Sequence, residues 1–196
     1  MLNLGTRFAT AFQMALRLHQ RQHRKGTEVP YISHLMAVAA IALENGANED
    51  QTIAALLHDA AEDQGGAPIL IQIEQHFGPE VARIVLGCTD NMGSEKLSWR
   101  SRKEAYLTHL TMAPDDVRLV CAADKLHNVR CLLVDLRHDG EPTWERFAGK
   151  KDGTLWYYRA ITDIFLKLGP ERIAVELDLV VGELQRLAGE HSKTTA

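Results

Sequence analysis

Apolar positions three and four residues apart recur along most of this chain. Phe8, Ala11, Phe12, Ala15 and Leu18 form such a stripe near the start, the pattern of a helix with one buried face. It runs into the basic turn Arg21-Gln22-His23-Arg24-Lys25-Gly26, and Gly26 and Pro30 break the helix. A second helix begins near Ser33, buries Leu35, Val38, Ala39 and Ala42, and stops at Asn45-Gly46, a common helix-ending pair. A third is expected over residues 48–63, ending at Gly65-Gly66. Two shorter helices follow over 69–77 and 79–88, the second with Pro79 at a favourable first position. Residues 91–94 read as a loop.

The second half continues in the same manner. Residues 95–110 predict a charged helix, surface-facing on one side, that ends before Pro114. A long helix over about 116–136 carries the interior-type run Val117, Leu119, Val120, Cys121, Ala122 and Ala123. Residues 137–153, punctuated by Gly140, Pro142, Gly149 and Gly153, read as a polar loop long enough to be functional. Helices over 154–168 and 170–187 complete the pattern, with 188–196 a tail that frays from about His191. No window alternates apolar and polar residues over strand length. The expected fold is therefore all-α, a bundle of about eight to ten helices in one domain over 1–196, with its core over about 5–168.

One stretch departs from simple amphipathic patterning. The apolar run Ile53-Ala54-Ala55-Leu56-Leu57 ends in His58-Asp59-Ala60-Ala61-Glu62-Asp63. On a continuous helix these four ionisable side chains share one face. Three crowded carboxylates beside an imidazole repel one another unless a cation holds them. His34 lies against an apolar helix face upstream, and Asp124 sits inside Val120-Cys121-Ala122-Ala123-Asp124-Lys125-Leu126 downstream. An acid there costs several kcal/mol of desolvation unless a charge or metal pairs with it. His34, His58, Asp59 and Asp124 make two imidazoles and two carboxylates without sulfur, a set that suits Mn, Fe, Zn or Mg-like ions. Asn128 shares the Asp124 face.

Composition narrows the partners. A formal net charge of −4 gives no bulk attraction to nucleic acid or anionic lipid, so a phosphate-bearing ligand must meet local positive charge. Cys88, Cys121 and Cys131 have no paired spacing, which fits a reduced, cytoplasmic setting. The first residues lack a basic region followed by an apolar core, and no uncharged run approaches eighteen residues. Neither a leader nor a membrane partner is expected. By spacing alone, His19, His23, His76, His109, His138 and His191 read as core or surface histidines, and Trp156 and Tyr157 as core aromatics. The apolar residues Val175, Leu177, Leu179, Val180, Leu184 and Leu187 suit either the core or a homo-oligomer contact.

The order His34, His58-Asp59, Asp124 resembles the HD superfamily of metal-dependent phosphohydrolases. Arg24-Lys25-Gly26, Pro30-Tyr31-Ile32-Ser33-His34, Leu57-His58-Asp59-Ala60-Ala61-Glu62-Asp63, Phe77-Gly78 and Ala123-Asp124-Lys125-Leu126-His127-Asn128 look like the hydrolase domain of the RelA/SpoT alarmone enzymes. The resemblance covers roughly residues 5–165 and is closest in length to the small stand-alone alarmone hydrolases. It implies an HD-domain bundle that binds one Mn²⁺ through His34, His58, Asp59 and Asp124. Glu62 and Asp63 would position or deprotonate the attacking water. Arg24 and Lys25 would flank the base and a nearby phosphate, Asn128 would bond near the ribose or base, and Lys150, Lys151 and Tyr157 would add phosphate and sugar contacts. The implied reaction removes pyrophosphate from the 3′ side of guanosine tetra- or pentaphosphate. Two alternatives remain open: an HD enzyme acting on adenine alarmones, NADPH or deoxynucleotides, and a non-catalytic nucleotide-binding module.

Overall fold

Ile53 to Leu57 are apolar on every side because the helix that carries them is enclosed on every side. The structure, a computed structural model, describes residues 3–90 and 98–194. Its described residues form ten α-helices and one short 3-10 helix, and its one β-bridge is the isolated pair His23 and Pro30. The chain divides into two compact units, Met1–Lys96 with Ala113–Ala123, and Leu97–Met112 with Asp124–Ala196.

The first unit contains α1 (Thr6–Leu18), α2 (Ile32–Glu44), α3 (Glu49–Leu57), α4 (Ala60–Gln64), α5 (Ala67–Phe77) and α6 (Pro79–Cys88). Helix α3 packs against α1, α2 and α6, and Thr52 through Leu57 are all buried. Burying Ile53, Leu56 and Leu57 contributes about 1.5–3 kcal/mol each. Its N-terminus is closed by a capping box: the Asn48 side chain accepts from Gln51 N–H and the Gln51 side chain accepts from Asn48 N–H, worth about 1 kcal/mol. Arg7 ties three elements together by donating to Glu49, Asp50 and the carbonyl of Phe77. Between α1 and α2 the basic turn closes as a hairpin, with Tyr31 N–H donating to Gln22 O at 2.9 Å and Arg24 N–H to Val29 O at 2.8 Å. This return of the chain sets Tyr31 at the N-terminus of α2.

The second unit contains α7 (Trp99–Met112), a 3-10 helix (Glu141–Arg146), α9 (Lys150–Leu168) and α10 (Glu171–Thr194). Helix α8 (Asp115–Asp139) contributes to both units. Within the second, α9 packs against α7, α10 and the 3-10 helix.

Several boundaries differ from those expected of the sequence. The helix expected over 48–63 is broken: α3 ends at Leu57, His58 and Asp59 form the turn, and α4 restarts at Ala60. The expected loop over 137–153 is largely ordered, because α8 continues to Asp139 and ion pairs tie down residues 141–151. Arg146 bridges Asp135 and Asp139, and Lys151 pairs with Glu141 at 2.6 Å while donating to Ala188 O at 2.8 Å. Gly149 and Gly153 mark close approach rather than a flexible loop, since a Cβ at either would lie 2.5 or 2.9 Å from the Trp99 ring. The last helix runs on to Thr194 instead of ending at Leu187. The loop expected over 91–94, the first turn of the helix expected from 95, and residues 195–196 lie outside the described residues.

Candidate metal centre

Two imidazoles and a carboxylate meet in the first unit. His34 comes from the first turn of α2, where α2 packs on α3, and is fully buried. His58 follows the last residue of α3 and is also buried. The break after Leu57 turns Asp59 so that its Oδ2 lies 3.0 Å from His58 Nε2 and 3.6 Å from His34 Nε2. One ligand atom from each of the three residues falls within 4.8 Å of the others. The His34 and His58 rings stand edge to face, 5.2 Å between centroids.

Local hydrogen bonds set the chemistry of these atoms. His58 Nδ1 sits 2.8 Å from Ala55 O; a carbonyl only accepts, so Nδ1 carries the proton and Nε2 offers a lone pair. Tyr31 Oη donates to Asp59 Oδ2 at 2.6 Å, and the Tyr31 ring packs edge-on against His34 at 5.4 Å. Two imidazole nitrogens and one carboxylate oxygen within this radius fit a divalent ion of the Mn, Fe or Zn class.

Glu62 and Asp63 lie on α4, outside that three-residue group, and each is held separately. Glu62 Oε2 accepts from the backbone N–H of Asp90 at 3.0 Å. Asp63 Oδ2 accepts from Gln22 Nε2 at 2.7 Å. Partial burial of its carboxyl raises the Asp63 pKa above the usual carboxylate value, the Gln22 bond opposes that rise, and the Asp59 charge adds to it. Arg24 lies over the Tyr31 ring at 5.6 Å, and Lys25 is exposed.

The remaining candidates belong to the second unit. Asp124 is buried, at 6% exposure, and its carboxylate accepts from Lys125 Nζ at 2.5 Å and from the Asn128 amide. Lys125 thus supplies the charge partner that the sequence argument required of a metal or a cation. Tyr157 is buried, with Lys103 Nζ 4.9 Å above its ring. Lys150 pairs with Glu145 at 2.6 Å, and Lys151 is committed to Glu141 and the Ala188 carbonyl.

Sequence reasoning passed over Tyr31, Gln22 and His19 as parts of this neighbourhood. Tyr31 was visible only as part of a motif. His19 carried a stronger signal, since it continues the four-residue spacing of Ala11 and Ala15 on the buried face of α1.

Residues 11–154 match the HD domain family model. This chain belongs to the HD domain family. Among curated relatives of this HD protein, the guanosine-3′,5′-bis(diphosphate) 3′-pyrophosphohydrolase MESH1 of Xenopus tropicalis is 38% identical over 125 residues, 62% of this chain and 67% of the relative. The GTP pyrophosphokinase rsh of Brucella melitensis is 37% identical over 132 residues, 66% of this chain but 17% of that much longer protein. A solved structure described as a metazoan ortholog of SpoT that hydrolyzes ppGpp aligns with a TM-score of 0.76 and 26% identity, covering 96% of this chain and 99% of that one. The HD chain is thus of the RelA/SpoT hydrolase type, and its all-α architecture is the one expected. No helix among the described residues is long and apolar enough to cross a membrane.

Proposed function

We propose that this HD protein is a metal-dependent 3′-pyrophosphohydrolase of guanosine tetra- and pentaphosphate. The observation that carries the reading is the His34, His58 and Asp59 group within 4.8 Å, in a chain whose relatives include proteins named for that reaction. The balanced reaction is ppGpp plus water to GDP plus pyrophosphate, or pppGpp plus water to GTP plus pyrophosphate.

Asp124 is proposed as the fourth ligand beside these three, and Mn²⁺ as the ion. A divalent ion, when bound there, would supply positive charge to phosphate oxygens and would lower the pKa of water. Glu62 and Asp63 orient the attacking water and take its proton, general-base work worth about 10²- to 10⁴-fold. The Asp90 N–H and the Gln22 amide hold those two carboxylates. The buried Ala55 carbonyl fixes the His58 tautomer, and Tyr31 aims Asp59. Arg24 and Lys25 are proposed to meet the base and a phosphate, and Asn128, Tyr157, Lys150 and Lys151 to add substrate contacts. The whole chain, 1–196, is proposed to work as one hydrolase domain, in the cytoplasm, on a small-molecule nucleotide and with no nucleic-acid partner. A homo-oligomer is a further proposal that sedimentation tests directly.

The purified Mn²⁺-loaded protein should release pyrophosphate from ppGpp and pppGpp faster than from 3′-pyrophosphorylated adenosine nucleotides, and faster than it acts on NADPH or deoxynucleoside monophosphates. A faster reaction with an adenine substrate or NADPH would reassign the substrate within the same chemistry. No turnover of any of them would favour a binding module.

A further inference from the structure

Beside the metal-ligand group lies a set of neutral side chains with an unusually determined hydrogen-bond order. Gln22 Nε2 is 2.7 Å from Asp63 Oδ2, and Gln22 Oε1 is 2.7 Å from His19 Nδ1 and 2.5 Å from Gln64 Nε2. An ionised carboxylate only accepts, so the nitrogen of the Gln22 amide must face Asp63. Its oxygen then accepts two bonds, one from Gln64 Nε2–H and one from His19 Nδ1–H; with Nδ1 protonated, the 3.3 Å approach of Gln64 Nε2 to His19 Nδ1 sets two donors side by side and is not a bond. His19 therefore carries a proton on Nδ1. It is 2% exposed and stacked on Tyr31 at 5.2 Å and 17°, and burial, the main cause, lowers its pKa.

We infer that Gln22 is a positioning residue for Asp63, locked in the productive amide orientation by His19 and Gln64. An unsupported glutamine could rotate and present its oxygen to the carboxylate; here that flip would leave two donors facing an amide N–H₂. Asp63, Gln22 and Gln64 also line an open pocket of about 530 Å³ with Leu18, Gln20 and Arg21, so Asp63 is braced on one side while water reaches it from another. The inference rests on the reading of Asp63 as a water-positioning carboxylate. Because Gln22 acts through Asp63, its loss should fall on kcat. Misplacement of a reacting group by about 1 Å can cost up to about 100-fold.

The test is steady-state ppGpp hydrolysis with the full chain, alongside metal content per chain. Gln22→Leu, and Gln22→Glu, which sets one carboxylate against another, should each lower kcat about 10- to 100-fold, with KM within about threefold of wild type and one metal retained. His19→Leu should lower kcat similarly, whereas His19→Asn, whose Nδ2–H can replace the Nδ1–H, should recover to within about threefold of wild type. If Asp63→Asn is inactive but Gln22→Leu keeps wild-type kcat, the inference is wrong while the role of Asp63 stands. A change confined to KM, loss of the metal, or equal losses in both His19 variants would also overturn it. Full turnover by Asp63→Asn would remove the role of Asp63 itself.

Discussion

In the first unit two buried imidazoles share one carboxylate: His34 and His58 are 0% and 2% exposed, with Asp59 Oδ2 3.6 and 3.0 Å from their Nε2 atoms. In the second, cations lie over aromatic faces. Arg100 sits 3.2 Å from the Trp156 ring centre, Lys103 4.9 Å from that of Tyr157 and Lys125 5.8 Å from that of Tyr106. The first arrangement selects a small cation by lone-pair geometry. The second, held by contacts worth about 0.5–2 kcal/mol each, fixes its cations on separate ring faces rather than around one shared centre.

The comparison breaks most severely if substitutions on the two sides have the same effect. His58→Ala or Asp59→Ala should remove the metal and lower ppGpp turnover by about 10³-fold or more, whereas Glu62→Ala should keep the metal and lose about 10²- to 10⁴-fold in kcat. Lys103→Ala should leave metal content at the wild-type level. Elemental analysis with parallel pyrophosphate assays reads all of these, and loss of metal from Lys103→Ala would erase the distinction. Next in size, Tyr31→Phe removes the hydroxyl that donates to Asp59 and should weaken metal affinity about 10- to 100-fold by calorimetry. Unchanged affinity would reduce Tyr31 to packing.

A smaller effect separates packing from chemistry. Gly149→Ala places a Cβ 2.5 Å from the Trp99 ring, so urea unfolding should show a loss of about 1–3 kcal/mol with metal affinity in the first unit unchanged. The smallest effect concerns His19. Burial lowers its pKa below the ordinary 6.5, so below that value the unfolded chain binds more protons and stability falls as pH falls through the folded pKa. In His19→Asn this contribution is absent. The difference in urea midpoint between pH 7 and pH 5 should be smaller than in wild type, and an equal or larger difference would count against a neutral, buried His19.

Most helices were legible because their apolar periodicity matched their burial, as at Leu35, Val38, Ala39 and Ala42 on α2. The break after Leu57 was not. Ala54, Ala55, Leu56 and Leu57 before His58-Asp59 and Ala60 and Ala61 after it are helix-favouring residues, and tertiary contacts rather than propensity decide the turn there. That break places Asp59 against both imidazoles, a geometry that the spacing of His34, His58 and Asp59 along the chain does not reveal. The segment 137–153 failed differently: its glycines signalled a loop, yet Gly149 and Gly153 serve the Trp99 ring and Lys151 holds the segment to α10. The amide order at Gln22 has no one-dimensional signature, since it depends on His19 and Gln64 arriving from α1 and α4.

The central claim is that His34, His58 and Asp59 hold one divalent ion. Anomalous diffraction from crystals grown with Mn²⁺ tests it most directly: the account predicts a single strong peak within bonding distance of His34 Nε2, His58 Nε2 and an Asp59 carboxylate oxygen. A map with no peak there, or with its peak on other residues, would contradict it.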